Sequence, residues 1–145
     1  GLSVASDSHL YIDNVSDLTV TGNTYLGNNL DITGTVNQTY QGAFQIGANI
    51  ILSASQTITF GSTINSTSPN LYGLEVNAPS GISFGDDIGG TNPLAYLNVN
   101  HGATLPAIVN TFGSQIYKSS VVLNHDTALT STNTALNESL TEASG

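Results

Sequence analysis

Apolar and polar positions alternate with a period of two along almost the whole chain. Leu2-Ser3-Val4, Leu10-Tyr11-Ile12, Leu18-Thr19-Val20 and Leu30-Asp31-Ile32 each place two apolar side chains on one side of an extended backbone. Phe44-Gln45-Ile46, Ile58-Thr59-Phe60, Ile82-Ser83-Phe84 and Leu97-Asn98-Val99 do the same further on. Turn-forming Gly, Asn, Asp and Ser separate these runs, so the pattern predicts many short, half-buried strands. Helical spacing is nearly absent. Leu136 and Leu140, four apart in a polar stretch, are the exception. That tail, 131–145, is expected either to fold as a short capping helix or to extend and add a strand to the next subunit. The whole chain, 1–145, is expected to be one all-β domain, with residues 1–17 as an N-terminal cap or edge strand.

Internal repetition decides between all-β architectures. Asn70-Leu-Tyr-Gly-Leu-Glu-Val-Asn77 matches Pro93-Leu-Ala-Tyr-Leu-Asn-Val-Asn100 at an offset of 23, and Ile58-Thr-Phe-Gly61 matches Ile82-Ser-Phe-Gly85 at 24. Leu18-Thr-Val-Thr-Gly22 returns as Leu30-Asp-Ile-Thr-Gly34 after 12 residues, which reads as a half-size step. Gln38, Tyr40, Phe44, Ile46 and Leu52 are echoed by Gln115, Tyr117, Val121, Leu123 and Leu129 at an offset of 77, or three coils with loop insertions. A unit of this size cannot bury its own apolar face. Stacking the next unit on it at about 4.8 Å forms parallel sheets around a continuous core. An antiparallel sandwich gives no reason for the repeat. The prediction is a parallel β-helix (β-solenoid) of about six coils. Phe44, Phe60, Phe84, Leu74, Leu97, Val76 and Val99 would form its core ladder, with Phe60 against Phe84 and Leu74 against Leu97.

These phrases resemble a known family. Gln38-Thr-Tyr-Gln-Gly-Ala-Phe-Gln-Ile-Gly47, Ile58-Thr-Phe-Gly61, Leu74-Glu-Val-Asn77 and Ile82-Ser-Phe-Gly85 resemble the repeats of filamentous-haemagglutinin-like adhesins of the two-partner-secretion type. The resemblance covers roughly residues 35–130 and implies a right-handed β-helix in a secreted, rod-like surface protein. Leu18-Thr-Val-Thr-Gly-Asn-Thr-Tyr-Leu-Gly27 looks more like phage and bacterial fibre repeats. Rods of that family run for many coils, so this length suits a fragment, a module or a polymerising subunit.

Composition narrows the function. The 145 residues are 39% apolar but only 8% charged, where about 25% is usual, with ten acids against the single base Lys118 and a net charge of −9. A nucleic-acid backbone would be repelled, and so would an anionic membrane surface. With no cysteine, disulfide and thiolate chemistry are excluded. No apolar run is long enough to span a bilayer as a helix. Such charge-poor, Asn/Thr/Gly-rich chains are typical of exported surface and matrix proteins.

Several short motifs invite chemistry, and each has a plainer reading. Gly81-Ile-Ser-Phe-Gly85 matches a nucleophile elbow, yet Ser83 aligns with Thr59 as an outward strand position and nothing after it starts a helix. Asp86-Asp87, with His101 beyond, resembles the paired acids of polygalacturonase β-helices, but this chain lacks their substrate-binding Arg-x-Lys element. The plainer reading is an acidic turn, with a weak calcium site as a lesser option. His9, His101 and His125 have no metal-ligand spacing. Thr19/Thr21, Thr33/Thr35 and Thr57/Thr59 would form a flat hydroxyl face if stacked, though their spacing is uneven. Lys118 reads first as a solvated lysine. It would join an asparagine in an isopeptide crosslink only with an acid nearby. Sequons begin at Asn14, Asn37, Asn65 and Asn137, making them candidate glycosylation sites. Tyr40 and Tyr117 recur in equivalent phrases as structural residues, while Tyr11, Tyr25, Tyr72 and Tyr96 are placed on an outer face.

The expectation is therefore an extracellular structural or adhesive module with no catalysis, cofactor or metal, serving cell attachment or a biofilm matrix. It would assemble as a homo-oligomer or polymer through its ends, with Leu2, Val4, Leu136 and Leu140 as assembly residues, and its outer face would meet a surface glycan or receptor. The alternatives are a carbohydrate-active or carbohydrate-binding β-helix using Asp86 and Asp87, and a trimeric phage-type fibre segment.

Overall fold

A three-residue strand buries one face and satisfies few of its own backbone groups, so its partners must come from elsewhere in the chain. Here they come from one turn away. The computed structural model describes residues 1–32, 36–136 and 140–142, which wind into an all-β parallel solenoid of about six turns with no helix.

Each turn contributes strands to three faces. The first face stacks β1 (Leu2–Val4), β4 (Thr24–Leu26), β7 (Phe44–Ile46) and β10 (Ile64–Ser66). Single bridges from Ile64 to Ile88 and from Ile88 to Val109 carry it to β15 (Ile108–Asn110) and β18 (Ala128–Thr130). The second face holds the pair β2 (Leu10–Ile12) and β5 (Leu30–Ile32). It also holds a five-stranded sheet of β8 (Ile50–Ser53), β11 (Leu74–Asn77), β13 (Leu97–Val99), β16 (Ser114–Tyr117) and β19 (Asn133–Leu136). The third face is one seven-stranded sheet: β3 (Asp17–Val20), β6 (Asn37–Tyr40), β9 (Thr57–Phe60), β12 (Gly81–Phe84), β14 (Ala103–Leu105), β17 (Val121–Leu123) and β20 (Leu140–Glu142).

Register is kept while turn length varies. Phe44 lies opposite Thr24, 20 residues earlier; Phe84 lies opposite Phe60, 24 earlier; Val121 lies opposite Ala103, 18 earlier. The surplus sits in segments 67–73 and 89–96, which stack on each other through Asn70 N–H to Pro93 O (2.9 Å) and Ala95 N–H to Tyr72 O (2.8 Å).

Two repeat readings need correction. The 12-residue echo is not a half turn stacked on itself, because Leu18 pairs with Gln38 and Leu30 with Leu10. The 77-residue echo is not a whole number of turns: Gln38 and Tyr40 lie on the third face, whereas Gln115 and Tyr117 lie on the second. The Q-x-Y phrase is thus a local device usable on either face. The capping helix also fails. Leu136 and Leu140 belong to β19 and β20, which lie parallel to β16 and β17 and complete another turn.

The core follows from the alternation. Phe44, Phe60, Phe84, Leu74, Leu97, Val76 and Val99 are all buried, Leu74 opposite Leu97 and Val76 opposite Val99. Phe60 and Phe84 stack with ring centres 5.3 Å apart and planes 5° from parallel. Tyr40 extends the stack below Phe60 at 5.7 Å, and Phe44 meets both rings edge-on. Offset and edge-to-face pairs of this kind add to plain area burial.

Gly89 is the turn position with the least freedom. Its φ is +69°, and a β-carbon there would run into the Asn110 carbonyl of the next turn. Gly89→Ala is expected to cost about 2 kcal/mol or more, from the left-handed backbone and the clash together. Urea unfolding of the variant measures it.

Candidate assembly surfaces and the polar framework behind them

Most internal strands hydrogen-bond to a neighbour above and below; β5 and β8 are not paired with each other, and β10 meets β15 only through bridges at Ile88. β1, β2 and β3 form one terminal turn, and each is paired on one side among the described residues. Leu2 N–H donates to Asn23 O (2.9 Å) and Gly27 N–H donates to Val4 O (2.6 Å). Leu2 and Val4 therefore face β4, and the alternation of a strand turns the Ser3 backbone groups to the open edge. The side chains tell the same story. Val4 is buried, but Leu2, Leu10 and Leu18 are half-buried. Leu26, Ile46 and Ile58, further along the stack on the first and third faces, are fully covered. At the other end β18, β19 and β20 pair, among the described residues, with the preceding turn alone.

What holds the stack together between strands is largely asparagine. Asn23 Oδ1 accepts from Ala43 N–H (3.1 Å), Asn29 from Ile51 (2.7 Å) and Asn49 from Gly73 (2.9 Å). Asn65 Oδ1 accepts from both Thr91 and Asn92 at 3.0 Å. Each side chain reaches one turn onward; three of them satisfy turn N–H groups, and Asn29 takes the Ile51 N–H of β8, which has no ladder to β5. The abundance of Asn is thus partly a structural requirement, beyond keeping the surface polar.

Two polar pairs sit inside the core. Tyr40 Oη donates to Gln38 Oε1 (2.9 Å), and Gln38 Nε2 donates to the Ser53 carbonyl (2.7 Å). Tyr117 repeats this with Gln115 (3.0 Å), whose Nε2 donates to Val109 and Thr130 carbonyls. All four residues are buried, and desolvation pushes both phenols far above the usual tyrosine range. Reading Gln as a strand-surface residue misses this. The signal was the Q-x-Y spacing, which puts both side chains on one face.

The remaining candidates are dispersed. Ser83 is exposed on β12 with no helix after it. Asp86 Oδ1 accepts from Asp87 N–H (2.8 Å) and Asp87 O accepts from Ile64 N–H (3.0 Å), so this pair closes a turn. No group of three potential metal-binding side chains occurs among the described residues. Thr19, Thr39, Thr59, Ser83 and Thr104 share one outward column on the third face. Strand register aligns these hydroxyls although the residue spacing is uneven. The flanking column reads Asp17, Asn37, Thr57 and Gly81, so stacked threonine pairs do not form. Thr33 and Thr35 lie outside the described residues.

Of the sequons, Asn14 is exposed at φ +55°. The Asn37 Nδ2 donates to Asp17 (2.8 Å) and its Oδ1 accepts from Thr57 (2.7 Å), which ties it into a ladder. Asn65 holds two turn amides, and Asn137 lies outside the described residues. Tyr11 is 75% exposed, whereas Tyr25, Tyr72 and Tyr96 are half-buried. Tyr25 packs over Gly47, and Tyr96 packs over Gly73 of the turn before it.

No protein-family model matches this chain, and no curated protein or solved structure is significantly similar to it.

Proposed function

We propose that this chain is a structural module of an extracellular, adhesin-like surface rod, joined to its neighbours end to end, with a mechanical role and no catalytic one. The observation that supports this most directly is the open terminal turn. β1, β2 and β3 present backbone groups and half-covered leucines in the three-faced outline on which β4, β5 and β6 are already paired. A further turn, from a longer chain or a second copy, would be accepted by the rule that stacks β4 on β1. The adhesin resemblance and the scarcity of charge fit a rod held by backbone hydrogen bonds and apolar burial.

Two consequences follow for solution behaviour. Association brings together copies that each carry a net charge of −9, so added salt should favour it by screening their repulsion. Electron micrographs of the purified chain are expected to show filaments, at least as long at high salt as at low salt. Ser3→Pro removes one open-edge N–H without touching the bonds from β1 to β4, and is expected to shorten or abolish the filaments. Discrete monomers under all conditions would overturn end-to-end joining. A trimer by light scattering would favour a fibre segment, and release of reducing sugar from acidic polysaccharides would favour an enzyme.

A further inference from the structure

The outward side of the second face carries a column that the rod reading does not use. Ser53, Asn77 and Asn100 follow one another in strand register, and Asn77 Nδ2 donates to Ser53 Oγ (3.2 Å). Asn100 N–H donates to Val76 O, which sets Asn100 beside Asn77, and the two amides hydrogen-bond. Lys118 N–H donates to Val99 O (2.9 Å), and Val99 pairs with Tyr117, so the next residue in the column after Asn100 is Lys118. It is the only lysine or arginine in 145 residues.

Asn100 is set up unusually. Its Nδ2 also donates to Glu75 Oε1 at 2.8 Å. Its Oδ1 is buried and has no hydrogen-bond partner. A buried amide carbonyl left unpartnered is uncommon and calls for a donor. Lys118 is exposed, stands on the same face, and is about 4.8 Å away along the stack. That is well within the reach of its four-carbon stem.

We propose that Lys118 and Asn100 form an isopeptide bond, with Glu75 as the proton carrier. The lysine ammonium first approaches the empty Oδ1, which brings Nζ beside Cγ. After the ammonium gives up one proton to the solvent, Nζ attacks Cγ, forming the C–N bond and a tetrahedral centre. Glu75 takes a proton from the incoming nitrogen and delivers it to Nδ2, the nitrogen it already holds. The Cγ–Nδ2 bond breaks and ammonia leaves, so the atoms balance with no oxidant, metal or cofactor. Glu75 is a catalytic residue in this step because it touches the leaving nitrogen. The product would tie the turn containing β13 to the turn containing β16 by a covalent bond on their outer side. Pulling forces along a rod would then meet a bond that cannot slip.

Intact mass of the purified chain tests this, because the bond removes one ammonia. The wild type is expected to be lighter than its sequence by that amount, and proteolysis should yield a joined peptide containing residues 100 and 118. Lys118→Arg and Glu75→Gln are expected at full mass, with circular dichroism matching the wild type. Full mass in the wild type would overturn the proposal. So would ammonia loss persisting in Lys118→Arg, which would instead mark cyclisation of an asparagine elsewhere. Neither result bears on filament formation, so this proposal and the rod reading can fail separately.

Discussion

Replacing Phe60 by alanine is expected to destabilise the chain by about 3–5 kcal/mol, the range for removing a large buried aromatic. Phe60 is the hub of the aromatic ladder: it stacks on Phe84 and Tyr40 and meets Phe44 edge-on. Its loss opens a cavity across three successive turns, which cannot collapse without shifting strand register. In a repeat array, a weak central turn also uncouples the turns on either side. Urea unfolding should show a lower midpoint, and a broadened or two-step transition if the halves separate. Thr59→Ala, one residue earlier but pointing outward, is expected to stay within about 0.5 kcal/mol of wild type.

High pH should unfold this protein steeply. Tyr40 and Tyr117 are held protonated by burial, well above the ordinary phenol value. In the unfolded chain both ionise near pH 10. Below that pH the two states bind the same protons at these groups, and they add no pH dependence. Above it the unfolded state loses two protons that the folded state keeps, so stability falls as pH rises. The slope from the pair is about 2.7 kcal/mol per pH unit. Tyr96 adds to the same trend, raised first by desolvation and then by the nearby Glu75 charge. Tyr40→Phe should roughly halve the slope from the pair. It should also lose stability at neutral pH, because Gln38 Oε1 is left without its donor. Chemical denaturation at a series of pH values from 8 to about 11.5 spans the transition.

Much of this architecture was legible in the residues because the β-solenoid reuses one elementary rule. Period-two alternation marks which side faces in, and an offset near 23 marks which residues meet across turns. Ile58-Thr-Phe and Ile82-Ser-Phe lie opposite each other as their phrases align. Phrases that repeat for local reasons do not obey that rule. Leu18-Thr-Val and Leu30-Asp-Ile look alike because any short strand before a glycine turn looks so, yet they occupy different faces. The Q-x-Y phrases misled for a better reason. A buried Gln that answers a Tyr hydroxyl is self-contained, so it can be set into any inner face of the stack. Leu136 and Leu140 were ambiguous because a spacing of four fits a helix turn as well as two strands joined by a tight bend.

The candidate site was harder to see. Which edges stay open depends on where the stack stops, and alternation says nothing about that. Glu75, Asn100 and Lys118 lie in three different turns, 25 and 18 residues apart. Only strand register makes them neighbours. The threonine columns show the converse. Uneven spacing argued against an aligned hydroxyl row, but insertions at 67–73 and 89–96 absorb the difference and leave Thr59, Ser83 and Thr104 in line.

The parallel, in-register winding can be tested in a chain that contains no cysteine of its own. Thr59→Cys with Ser83→Cys places two thiols directly opposite on adjacent outer strands, at a separation that suits a disulfide. Mild oxidation at low protein concentration should crosslink them within one molecule, seen as a faster-migrating species on non-reducing gels. Thr59→Cys with Val122→Cys, three strands apart on the same face, should stay reduced under the same conditions. Ready crosslinking of the distant pair, with none between positions 59 and 83, would contradict the stacked winding.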